Sequence, residues 1–225
     1  MPFYYLIGIA FALLGLWVQS RLKSKFAEYS KVTLGSGLSG REIAERMLAD
    51  HGIRDVKVIS VQGQLTDHYN PVNRTVNLSE DVYHGRNAAS AAVAAHECGH
   101  AVQHHTAYVW LGFRSKLVPA VSVASNILPW ILMAGVLLIS SFPQLLLGAI
   151  LLQVGVTLFT LVTLPVEYDA SKRAMAWIQS KGIAQPREYE AAKDALDWAA
   201  RTYLVAALAA VAQLVYLIMI YSRRR

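Results

Sequence analysis

The sequence predicts a mainly α-helical, multi-pass membrane protein of about four transmembrane helices, carrying one small α+β polar domain. Three observations predict this class. Of 225 residues, 55% are hydrophobic and only 16% are charged, a balance rich in apolar residues and poor in charge for a soluble domain. The apolar residues collect in four long blocks, each close to the length that crosses a bilayer. The basic residues flank those blocks instead of forming one stripe. The net charge of +6 therefore points to the lipid bilayer as a partner and away from nucleic acid. The length leaves room for one modest soluble domain beside the blocks. A single cysteine, Cys98, excludes an intramolecular disulfide and fits a reducing compartment.

The first block, Pro2 to Ser20, carries no charged side chain and is followed at once by Arg21, Lys23 and Lys25. It lacks a basic start and a small-residue cleavage site, so it reads as an uncleaved anchor and not as a signal peptide. The second block spans Leu117 to Ser140 and the third Phe142 to Pro165, with an uncharged turn between them. Together they read as a transmembrane hairpin. The fourth, Tyr203 to Tyr221, is just long enough to span. The expected division is an anchor over 1–20, a polar domain over 21–116, the hairpin over 117–165, a second polar segment over 166–202 and a terminal helix with basic tail over 203–225. Arg21, Lys23, Lys25, Arg114, Lys116, Lys172, Arg173 and Lys181 all put the polar domain in the cytoplasm by the positive-inside rule. Four full spans would leave Arg223, Arg224 and Arg225 outside, against that rule, so whether the last block crosses fully stays open.

Within the polar domain, Ser39 and Glu42 form an S-x-x-E capping box, and Ile43, Ala44, Met47 and Leu48 recur at helical spacing up to Gly52. Val56 to Val61 reads as a strand. Gly63 turns the chain, and Leu65 to Tyr69 is expected to pair back on it. Asn70-Pro71 ends that run, and Thr75 to Leu78 is a further extended segment.

Asn87 is a helix N-cap candidate, and an alanine-rich run from it leads into His96-Glu97-Cys98-Gly99-His100. Alanine is the best helix former, so His96 and His100 sit on one helix, four apart and on one face. Two imidazoles placed so can reach one zinc ion. Glu97 lies beside them as general base for a bound water, whose pKa zinc lowers to about 7. Two histidines on a helix also occur without any metal. Gly99 leaves space beside the helix, and the alanines permit close packing. Cys98 is rotated off the histidine face and reads as a small buried residue. His104 lies eight residues beyond His96, about 12 Å along the axis, too far to share the metal. A catalytic site needs a third ligand. Glu167 is the leading candidate, because an acid just past the third apolar block is costly unless partnered. It follows Pro165, where a new helix is expected to start, so a plain N-terminal acid is the alternative. Asp169 competes, although Arg173 at i+4 suits an ion pair. His68 is a further option.

The chain resembles the YugP-type family of bacterial membrane zinc metallopeptidases over nearly its whole length. The resemblance runs through Arg21 to Phe26, Leu65 to Pro71, Leu78-Ser79-Glu80, His96 to His100 with Gln103, Leu117-Val118-Pro119 and Glu167 to Ser171. It implies a zincin-like catalytic domain in which His96, His100 and Glu167 bind Zn2+ and Glu97 is the base. It implies a bacterial plasma-membrane location and a protein or peptide substrate, cut as by an endopeptidase. The chain is more distantly similar to HtpX-type membrane proteases, whose motif after the helix is E-x-x-x-D. Here Ser171 stands at the aspartate position, so the group that orients a zinc histidine is unassigned. The same kinship marks Asp67-His68-Tyr69 as the substrate-pairing strand, with His68 or Tyr69 as an oxyanion donor; ordinary turn chemistry is the alternative.

Two other functions compete. Intramembrane proteolysis is opposed by His84 and Arg86 before the motif helix and His104 and His105 after it. A catalytically silent zinc-binding scaffold is opposed by Glu97, which metal binding alone does not need. The substrate sequence and the oligomeric state are not legible.

Overall fold

The computed structural model describes residues 2–138 and 141–222. Ser140, where the second block was expected to end, and Arg223, Arg224 and Arg225 lie outside the described residues. In chain order the elements are α1 (Pro2–Tyr29), α2 (Gly40–Asp50), β1 (Lys57–Val61), β2 (His68–Asn70), β3 (Thr75–Ser79), α3 (Glu80–His84), α4 (Ala88–His105), α5 (Val109–Leu137), α6 (Pro143–Ser180) and α7 (Pro186–Ser222). The chain divides into two units. One comprises Met1–Trp17, Gly112–Pro165 and Thr202–Arg225; the other comprises Val18–Leu111 and Val166–Arg201.

Among the described residues three helices are long and apolar enough to cross a membrane, α5, α6 and α7, and the first unit holds most of α5 and parts of α6 and α7. Leu146, Ile150 and Leu217 form its packed cluster. Gly135 lets α5 approach the chain at Leu146, whose backbone nitrogen lies 3.0 Å from where a Cβ would sit. Gln153, buried, donates to the carbonyl of Ala210 at 3.2 Å.

The expected helix break at Pro165 does not occur. Pro165 lies inside α6, which runs through 38 residues. A proline removes one helical N–H but leaves the flanking turns able to continue when neighbouring chain supports them. Glu167 is therefore a mid-helix residue and draws nothing from a helix N-terminus.

In the second unit, α2 begins where the sequence places it. Ser39 Oγ accepts the N–H of Glu42, the Glu42 carboxylate accepts the N–H of Ser39, and Gly52 leaves the helix at φ 72°. The sheet order is β1-β3-β2. This corrects the expected pairing of Leu65 to Tyr69 with Val56 to Val61: β1 pairs with β3 in parallel, and β2 pairs antiparallel with β3. The reason is local. Asn70 Oδ1 accepts the N–H groups of Val72 and Asn73, and Arg74 takes φ 51°, which closes a tight turn that pins β2 to β3. β3 carries fully buried Val76 and Leu78 and so takes the centre, leaving β2 as an edge. The core gathers Ile43, Met47, Leu78, Cys98, Trp177 and Ile178 around α4. The alanines of α4 make this possible: Ala91, Ala92, Ala94 and Ala95 have no exposed surface, so neighbouring elements come close on every side.

Candidate metal centre

Asn87 caps α4 by accepting the N–H of Ser90 at 2.9 Å, so the helix starts at Ala88, eight residues ahead of His96. His96 and His100 then share one face, with ring centroids 4.8 Å apart. The second unit also contains the part of α6 that begins at Val166. Its contact with α4 is made at Gly99, where a Cβ would lie 2.5 Å from the carbonyl oxygen of Ala170. Only a residue without a side chain admits that approach. One turn before Ala170, Glu167 reaches the histidines: its Oε2 lies 3.3 Å from His96 Nε2 and 3.6 Å from His100 Nε2. The ligand atoms of His96, His100 and Glu167 all fall within 4.8 Å of one another.

The other ring nitrogens are held from behind. His100 Nδ1 lies 3.0 Å from Gln103 Oε1. The orientation of that amide is dictated by its nitrogen, which donates to the Val166 carbonyl at 2.7 Å and to Asp169 Oδ2 at 2.9 Å, both pure acceptors. Gln103 must therefore present oxygen to His100, so His100 carries a proton on Nδ1, and its Nε2 faces Glu167. Asp169 is itself held by Arg173, whose Nε lies 2.5 Å away. His96 Nδ1 meets Ser171 Oγ at 3.0 Å. With their Nδ1 atoms engaged by Gln103 and Ser171, both imidazoles turn Nε2 toward one carboxylate, and this His, His, Glu donor set suits a metal ion.

Electrostatics agree with this reading. Burial pushes the Glu167 carboxyl up, but hydrogen bonds from His100 and His96 outweigh it and hold the group well below the usual carboxylate range. Burial pulls His100 down, and its bond to Glu167 together with the charge of Glu97 more than reverses that. A buried site that favours a carboxylate beside imidazoles is already arranged for a cation.

The remaining expected residues divide. Glu97, on the same helix, accepts the backbone N–H of Tyr69 at 2.9 Å, so the β2 edge and the motif helix meet at that carboxylate. The Tyr69 hydroxyl lies 2.7 Å from His104 Nδ1. His68 is exposed, and its Nδ1 lies 2.7 Å from the Thr66 carbonyl. Because a carbonyl only accepts, that nitrogen is the protonated one, and Nε2 can donate only from an imidazolium. Asp169 does not join the cluster but supports Gln103. Cys98 is fully buried, its thiol pushed up by burial and 3.5 Å from the Ala44 carbonyl. Sequence reasoning missed Gln103 and Ser171 as supports. Part of the spacing signal was present: Gln103 stands at i+3 from His100, the ring it supports, and Ser171 stands at i+4 from Glu167, although the ring it meets is that of His96 on the other helix.

Comparison with known proteins agrees with the resemblance read from the motifs. The family described as "Putative neutral zinc metallopeptidase" matches residues 4–222. The chain is 43% identical over 221 residues to "Putative membrane protease YugP" of Bacillus subtilis (strain 168), covering 97% of each chain. No solved structure matches. On its match from end to end and on its His96, His100 and Glu167 cluster, the chain belongs to the neutral zinc metallopeptidase family.

Proposed function

We propose that the chain hydrolyses peptide bonds at the cytoplasmic face of the bacterial plasma membrane, with His96 Nε2, His100 Nε2 and a Glu167 oxygen as zinc ligands. The observation that carries this is the convergence of those three groups beside a fourth, Glu97, whose carboxylate is fixed by the Tyr69 N–H. When bound, zinc supplies Lewis-acid polarisation of the water and of the substrate carbonyl. Glu97 takes the proton of the attacking water through the oxygen lone pairs left by Tyr69 and passes it to the leaving amine nitrogen. Gln103 and Ser171 hold the two rings so that their lone pairs stay on the metal position. The edge strand β2 offers extended backbone for a substrate strand, which favours an endopeptidase. With the Tyr69 hydroxyl engaged by His104, His68 remains the side-chain candidate for the oxyanion.

The zincin-like catalytic domain consists of 18–111 with 166–201, and α1 serves as a fourth span beside α5, α6 and α7. Arg21, Lys23 and Lys25 support its cytoplasmic end. The test is Glu97→Gln in the full-length protein, purified in detergent and loaded with zinc. We expect retained zinc and a loss of labelled-casein cleavage of about 10²–10⁴-fold. Full cleavage by a zinc-loaded Glu97→Gln protein would remove the peptidase mechanism.

A further inference from the structure

The second unit contains a cleft of about 380 Å³ that the metal centre does not use. This size lies within the range of ligand pockets, about 300–1,000 Å³. Phe26, Ala27, Leu65, Val82 and Ala89 supply its apolar wall. Of the polar residues between them, Asp67, Ser79, Asn87 and Ser90 are bonded to their own surroundings, while Lys23 and Gln64 also line the cleft. Asp67 accepts from the N–H and hydroxyl of Ser79, Asn87 accepts from the N–H of Ser90, and Ser90 donates to the Asp81 carbonyl. What the cleft offers an occupant is chiefly apolar surface, with the Lys23 ammonium and the Gln64 amide at its wall.

Its place relative to the metal centre names the occupant. Ala89 and His96 are seven residues apart on α4, two helical turns on the same face, so the cleft lies about 10 Å from the metal cluster along that helix. An extended peptide covers that distance in about three residues. Asp67, on the cleft wall, precedes β2 by one residue, and Tyr69 on β2 donates to Glu97. Burial first, and then the charge of Glu97, raise the Asp67 carboxyl against the hydrogen bonds from Ser79. The cleft and the base are thus joined by one strand and one helix. Leu65, half exposed and held at φ 57°, projects from the loop that leads into that strand.

We propose that this cleft is the selectivity subsite for the substrate, receiving a large aliphatic or aromatic side chain about three residues from the cleaved bond. It rests on the peptidase reading above and adds the substrate class: extended peptides with one bulky apolar residue at that position.

The experiment uses the full-length, zinc-loaded Glu97→Gln protein in detergent, so that peptides bind without being cut. The probes are fluorescein-labelled octapeptide pools in which each position in turn is Ala, Leu, Phe, Glu or Lys. Fluorescence anisotropy gives the dissociation constants. At one position Leu or Phe is expected to bind at least about tenfold more tightly than Ala. Adding Ala27→Trp, at an exposed site on the cleft wall, fills the space and should abolish that preference at that position alone; Ala27→Leu should reduce it partly. Zinc content and melting temperature report whether the variants fold. Peptide binding with no apolar preference, or a preference that survives Ala27→Trp, overturns the subsite and leaves the peptidase reading standing. Absence of any peptide binding by folded, zinc-loaded protein overturns the peptidase reading itself. Occupancy by a lipid acyl chain instead would appear as displacement of peptide by added phosphatidylglycerol in Glu97→Gln but not in the Ala27→Trp double variant, and would also overturn the proposal.

Discussion

Replacing Gly99 with alanine tests whether one close helix contact assembles the metal site. A Cβ there would meet the Ala170 carbonyl oxygen at 2.5 Å, with the carbonyl carbon at 3.0 Å and Cα at 3.1 Å. These are backbone atoms, so no side chain can rotate away. Restoring an ordinary contact of 3.4 Å needs an opening of about 0.9 Å between the helices. Glu167 precedes Ala170 by three residues on the same helix and moves with it. Metal–ligand distances tolerate only about 0.2 Å, so a shift of that size removes the carboxylate from the centre. Stability responds differently. Overpacking costs about 1–3 kcal/mol, while alanine gains about 1 kcal/mol over glycine in a helix. The net change in the chelated protein is therefore small, at most about 2 kcal/mol of destabilisation. We expect zinc affinity, measured by chelator competition, to fall at least about tenfold, or 1.4 kcal/mol. The melting temperature in EDTA should move by only a few degrees. Unchanged zinc affinity in Gly99→Ala would show that the α4–α6 approach does not place Glu167, and the reasoning would fail.

Three other expectations follow from the same geometry. Gln103→Leu leaves the His100 Nδ1–H, the Val166 carbonyl and Asp169 without their partner, and should weaken zinc binding about 10–100-fold; Asp169→Asn, which keeps an acceptor for the Gln103 amide, should do so less, as isothermal titration will read. In EDTA-treated protein, Glu167 has a lowered pKa and contributes stability above its unfolded value, lost as pH falls through the folded one. His100 has a raised pKa and contributes below its unfolded value, lost as pH rises through the folded one. The metal-free melting temperature should therefore peak between about pH 4.3 and 6.5, and Glu167→Gln should flatten that peak in a calorimetric pH series. Reporter fusions at Gly35 should read cytoplasmic, and an external signal there would reverse the proposed orientation.

Much of this protein was determined by its sequence alone. The later three apolar blocks specify helices long and apolar enough to cross a membrane, because hydrocarbon demands about 20 uncharged residues in a run. Ser39 with Glu42, Asn87 before the alanines, and His96 with Glu97 and His100 are local patterns, and a helix turns such spacing directly into a shared face. Three features required the tertiary structure. The pairing of β2 with β3 depended on which of two loops was the tighter, a matter of side-chain bonding by Asn70. The continuity of α6 through Pro165 overrode a local breaker, because surrounding packing outweighs one missing hydrogen bond. Glu167, 67 positions beyond His100, was already the leading third candidate in the sequence, but its meeting with the histidines and the supports Gln103 and Ser171 gained meaning only when Gly99 let the two helices touch. Local spacing sets which side chains share a face. Which faces meet is settled by packing over the whole chain, and that decided how the motif was completed.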